Sequence, residues 1–178
     1  MSNNRTIVHI RKHRLTPTTG ANVPSRAGEI DLAANATVRF SSEAPEHPVE
    51  RMLDGQIGPG GTYWAADSAD VTEEILLEFD KPLHIARVCY QVEERQLERT
   101  QEVLMEYSCD GGGSYRSGFV QEYTFSPAGA TFQSEDLKVE LHGVTHLRLR
   151  IKPNKNGSGT ATLTSLRLFG PVDAPVHP

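Results

Sequence analysis

"THLRLRIK", residues 145–152, carries the cleanest period in the chain. On an extended backbone Leu147, Leu149 and Ile151 fall on one side, and His146, Arg148, Arg150 and Lys152 on the other. A period of two marks a strand with one buried face and one wet face. The pattern spreads outward from there. Downstream, "LTSLRLFG" (163–170) repeats it after the turn "PNKNGSG" (153–159). Upstream, "EVLMEYS" (102–108) sets Val103, Met105 and Tyr107 against Glu102 and Glu106. "HIARVCYQV" (84–92) alternates as well, and "EILLEF" (74–79) is a short apolar run closed by Asp80-Lys81-Pro82. The turns "CDGGGS" (109–114) and "SPAGA" (126–130) punctuate these runs. Asp-Gly and Asn-Gly steps of this kind are hairpin signals. Short strands joined by such turns predict an all-β, antiparallel sandwich or barrel.

Two segments read less simply. "EERQLERTQEVLMEY" (93–107) is rich in helix formers, but alternation from Thr100 to Tyr107 predicts a charged loop running into a strand. "HPVERMLDG" (47–55) has Pro48 near its start and Gly55 at its end, which predicts one or two helical turns. Residues 1–30 read as an extension, in which "TIVHIRKH" (6–13) alternates and adds an edge strand, while "TPTTGANVPSRAG" (16–28) is linker-like. Residues 31–170 form the domain and residues 171–178 a loose tail.

Composition narrows the function. The 178 residues suit one domain, and a net charge of −5 leaves no electrostatic footprint for nucleic acid. No run of apolar residues is long enough for a membrane helix. The N-terminal "MSNNRTIVHIRKHRL" lacks the apolar stretch of a signal peptide, so the expectation is a cytoplasmic protein. Its two cysteines, Cys89 and Cys109, are then reduced thiols, both read as lying inside strands. Catalysis has little support: there is no Gly-x-Ser-x-Gly elbow, no phosphate-cradling loop and no cysteine metal knuckle. The acidic pairs Glu73/Glu74 and Glu93/Glu94 would point to opposite faces of a strand. The pairs His9/His13 and His142/His146 would lie on one face of a strand but ~13 Å apart, too far to share an ion.

The order of motifs is similar to that of a known family. "IDLAANATVRFSSE" (30–43), "HPVERMLDG" and "TYW" (62–64) resemble the opening of the discoidin, or coagulation factor V/VIII type C, domain. The branch most similar in look is family 32 of the carbohydrate-binding modules. "MEYSCDGGGSYRS" (105–117), "VTHLRLRI" and "LTSLRLFG" resemble its later strands. The resemblance covers residues 31 to 170. It implies an eight-stranded jelly-roll sandwich of the galactose-binding-like kind, and a non-catalytic module that binds carbohydrate through loops at one end. The alternative is a cytosolic protein–protein interaction module on the same fold.

The resemblance also implies site residues. The stretch "LDGQIGPGGTYWAAD" (53–67) corresponds to a loop that often wraps a structural calcium. Here Asp54 would give its carboxylate, Leu53 and Gln56 their carbonyls, and Thr62 its hydroxyl and carbonyl. Ser165 stands where the family carries a further acid, and "IGPGG" lengthens the loop. Trp64, the one tryptophan, is expected to plug the core beneath the glycines. Candidate sugar contacts lie on loops at the sandwich mouth: His47, Arg95, Arg99 and Asn154. A sugar site also wants an aromatic platform, which only Tyr63 or Tyr115 would supply by facing outward. The basic face of 145–152 is read as solvated and paired with Glu102 and Glu106.

Overall fold

A computed structural model describes residues 26–172 together with the backbone of residues 11–14. Among these, nine strands and two short helical turns follow in the order β1 (Arg11–Arg14), α1 (Leu32–Asn35), β2 (Ala36–Phe40), a 3-10 turn (Val49–Met52), β3 (Trp64–Ala69), β4 (Glu73–Glu93), β5 (Arg99–Ser108), β6 (Arg116–Phe125), β7 (Phe132–Lys152), β8 (Thr160–Leu163) and β9 (Ser165–Phe169). Every strand pairing is antiparallel. The fold is the expected β-sandwich.

Two strands build both layers. Straight, the 21 residues of β4 or β7 would span roughly 70 Å, far beyond the width of a domain this size. Both therefore bend, and the bend coincides with register shifts between Glu78 and Arg87 of β4. Before the bend, β4 pairs with β2 (Val38 opposite Leu77) and with the end of β7 (Leu77 opposite Leu147). After it, β4 pairs with β9 (Val88 opposite Leu168) and with the start of β7 (Val88 opposite Leu137). β5 and β6 extend the first layer beyond β7, and β3 with β8 forms a separate pair. Asp80-Lys81-Pro82, expected to end a strand, instead lies in the unpaired gap of the bend. A proline tolerates that position because no ladder bond needs its missing N–H.

The core lies between the layers. Val103, Met105, Leu147, Leu149 and Ile151, inward by alternation, are buried, and Tyr107 of the same face is half-buried; Ile75 and Leu77 of the apolar run 74–79 are buried with them. Trp64 is fully buried, and its indole N–H donates to the Ser42 carbonyl at 3.1 Å. Of the two expected carboxylates the outward arginines meet Glu106, Arg148 at 2.9 Å and Arg150 at 3.6 Å; Arg150 also lies 3.5 Å from Glu74, which the sequence reading did not name as a partner. Arg148 also stacks over Tyr115, 3.8 Å from the ring centre.

The extension contributes β1, whose Arg11–Arg14 pair with Thr37–Phe40 of β2. The rest of "TIVHIRKH" at 6–10 and the tail from 173 lie outside the described residues. One cysteine departs from expectation. Cys89 is buried in β4, but Cys109 follows the end of β5 and is exposed in the turn.

Candidate functional site: the loop end

Because β4 and β7 fold over, their outer ends return to the same side as the loops. Backbone hydrogen bonds tie that end together: Ala44 to Ala65, Asp70 to Gly159, Lys155 to Thr100 and Glu94 to Thr131. All eight sequence-predicted site residues fall on these connecting segments or at their edges. They do not form one cluster.

The glycine-rich loop 53–63 is held from within. Gly55, Gly58 and Gly60 have φ of 79°, 93° and 80°, a region that costs other residues a steric penalty. The Asp54 carboxylate accepts from the Gln56 N–H at 2.9 Å with one oxygen and from the Thr62 hydroxyl at 2.5 Å with the other. Leu53 donates its N–H to the Glu50 carbonyl and closes the 3-10 turn. Two side chains reach in from β4: Gln91 accepts the Gly58 N–H and Glu93 the Gly60 N–H, both at 2.9 Å. Of the expected calcium ligands, the structure brings Asp54, Gln56 and Thr62 together. Ser165 is buried in β9 opposite Gln91, whose side chain accepts the Gly58 N–H of the loop.

The four expected sugar contacts divide into three places. His47 stacks on Tyr63 with ring centres 3.9 Å apart and planes 21° apart. Tyr63 is 36 % exposed, so an aromatic surface does face solvent at this end. Arg95 is exposed, pairs with Glu93 at 2.5 Å and lies beside Gly60. Arg99 and Asn154 border one open cavity of ≈ 250 Å³, together with Glu98, Thr100, Thr124 and Asn156.

Arg99 is a structural group rather than a free one. Its side chain is wholly buried, and it donates to Glu94, Gln101, the Pro153 carbonyl and Thr162 at 2.8–3.0 Å. Burial lowers its pKa against the pull of Glu94. Burial raises the Glu94 pKa in turn, but the N–H groups of Gln96 and Leu97 and the Arg99 charge outweigh it and hold the carboxyl below its ordinary value. Asn154 is likewise engaged: its oxygen accepts from the Thr100 and Asn156 N–H groups and its amide donates to the Ser158 carbonyl. The groups of this cavity left for a ligand are the exposed Glu98 and Asn156 and the Thr100–Thr124 hydroxyl pair, 2.8 Å apart.

Sequence reasoning also missed exposed apolar groups at this end. Ile57, Val71 and Leu97 join Tyr63 there as large exposed hydrophobic side chains.

The family model of the F5/8 type C domain matches residues 37–166, from β2 to the first residues of β9. The chain belongs to the F5/8 type C domain family. Among curated proteins no sequence match is found. Among solved structures, this member of the family is similar to a family 32 carbohydrate-binding module from a family 31 glycoside hydrolase of Clostridium perfringens. The TM-score is 0.59 at 17 % identity, covering 81 % of this chain and 96 % of that one. It is also similar to the family 32 module of C. perfringens NanJ, solved in complex with galactose (TM-score 0.55, 12 % identity, 81 % and 99 % covered). A further C. perfringens family 32 module, in complex with GalNAc-β-1,3-galactose, gives 0.54 at 18 % identity, with 80 % and 99 % covered. At these identities the likeness establishes the galactose-binding-like fold.

Proposed function

We propose that this domain is a non-catalytic carbohydrate-binding module that takes a sugar at the loop end, on the outer surface of Tyr63. The observation that carries the reading is the Tyr63–His47 stack. His47 covers one face of the ring, so the exposed area lies on the opposite face and edge. A fixed, half-exposed aromatic ring is the apolar surface that the C–H face of a sugar requires, at low entropic cost. Similar modules solved with galactose and with GalNAc-β-1,3-galactose support the choice of ligand class. The test is a glycan array, followed by titration of the best galactose- or GalNAc-terminated binder. Tyr63→Ala should weaken binding by roughly tenfold or more, the loss of a stacked ring. Asn156→Ala, in the polar cavity, should leave it within about twofold. An array without binders, or a Tyr63→Ala variant that binds normally, overturns the proposal.

Calcium belongs to the same proposal as a structural aid. Asp54, with oxygens of Leu53, Gln56 and Thr62, would hold it. One carboxylate fits the weak class of site, with Kd roughly 10⁻⁴–10⁻³ M. On metal-stripped protein, about 5 mM calcium should raise the melting temperature and Asp54→Asn should abolish the rise. No shift in the parent protein would exclude the ion.

Ile57, Val71 and Leu97 favour a second reading, a cytosolic module that docks a protein through the same end. Their replacement by serine would then abolish partner capture and leave glycan binding intact.

A further inference from the structure

At the opposite end of the sandwich, β4 and β7 bring together three ligating side chains that the loop-end reading does not use. They are His84, Glu140 and His142, whose ligand atoms all lie within 4.8 Å of one another. The Glu140 carboxylate is 3.1 Å from His84 Nε2 and 3.9 Å from His142 Nε2. The two imidazole rings lie against each other, centres 3.9 Å apart and planes 35° apart.

The backbone explains the convergence. Glu140 and His142 are two residues apart on β7 and so share a face. His84 lies across the ladder, at an irregularity. Leu83 pairs with Val144 and Ile85 with Leu141, so His84 alone faces the two residues His142 and Gly143. That is a β-bulge, in which Gly143 has a φ of +67°. The bulge sets His142 opposite His84, where the two rings meet. The bulge thus does what residues four apart on one strand cannot: it places two histidines and a carboxylate around one point.

We propose that His84, Glu140 and His142 form a binding site for a divalent transition metal, with zinc as the reference ion. Two imidazole nitrogens and one carboxylate oxygen are a borderline-soft donor set, suited to zinc, nickel or copper and poorly suited to calcium or magnesium. Tetrahedral zinc with bonds of ~2.0–2.1 Å keeps its ligand atoms ~3.3 Å apart. The 3.1 Å separation already meets that spacing, and the 3.9 Å separation closes to it by a small rotation of the exposed His142. Three protein ligands leave the fourth position to water or to a donor from another molecule. The site lies at the bend, away from the Asp54 loop and the Tyr63 platform, so its metal is independent of any calcium.

Isothermal titration of the full chain with zinc chloride tests this, with folding followed by the emission of buried Trp64. The expected result is one saturable zinc site. His84→Ala and His142→Ala should each weaken it roughly tenfold or more, and Glu140→Gln by a smaller factor. His47→Ala and His146→Ala should leave it unchanged, and calcium should not compete. Absence of a zinc site at ~100 µM, or zinc binding that persists in the folded His84→Ala/His142→Ala double variant, overturns the proposal.

Discussion

Arg99 carries a positive charge with a wholly buried side chain, which is tolerable only because it donates four hydrogen bonds, one of them to the Glu94 carboxylate. Its guanidinium also lies over the buried Phe125 ring, with its carbon 5.8 Å from the ring centre. Removing the charge takes the counter-ion from Glu94 and the guanidinium donor from the Pro153 carbonyl, and leaves Gln101 Oε1 with the Thr162 N–H alone. Arg99→Met should therefore lower unfolding free energy by about 3 kcal/mol in urea titration. A loss under about 1 kcal/mol would show the group to be dispensable. Part of this was legible in the sequence. Arg99 and Gln101 share the parity of Val103 and Met105, so continuing the strand two steps backward places both inward. Reading 93–100 as a charged loop hid that phase. The Tyr63–His47 stack was not legible, because the rings meet through folding of two loops separated by a helical turn.

Loop 53–63 shows how one element is fixed by another. Its conformation rests on Gln91 and Glu93, alternate residues of β4 that accept the N–H groups of Gly58 and Gly60. A loop with so many glycines loses much backbone entropy on ordering, and these two acceptors offset part of that cost. Gln91→Ala with Glu93→Ala should release it: amide exchange across 56–62 should quicken about tenfold while that of β5 stays unchanged. Unchanged exchange in the loop would mean that Asp54 and Thr62 suffice. At this scale the strands with clean alternation were legible, including β5 and the second half of β7. β6 and the first half of β7 were not. Val120 of β6 is exposed despite its apolar side chain, and residues 132–141 alternate half-buried with exposed side chains, with Gln133 alone among them buried. The union of two apparent strands into β4 was also hidden, since Asp80-Lys81-Pro82 spells a turn locally and only the bend of the sandwich keeps the chain in the ladder.

The molecule as a whole is stabilised by ionised carboxylates at one limit of pH and by neutral groups at the other. Glu94 is held below its ordinary value as described above. Asp136 is held low by its hydrogen bonds from Arg87, Asp110 by the Ser108 and Ser114 hydroxyls, and Glu122 by Lys155. A carboxyl with a depressed folded pKa contributes stability above its unfolded value and loses it as pH falls through the folded one. That loss begins below about pH 4.5 for every one of these groups. At the alkaline limit, burial raises the pKa values of Cys89 and Tyr90, which favours their neutral forms. Their contribution is complete below the ordinary thiol and phenol values, near pH 9 and 10, and is lost as pH climbs toward the raised ones. The melting temperature should thus hold a plateau from about pH 5 to pH 9 and fall on both sides. Cys89→Val should remove part of the alkaline fall and leave the acid limb in place, because the acid limb depends on other groups. A melting temperature that already declines between pH 7 and pH 5 would contradict this assignment, since none of these carboxyls takes up a proton there.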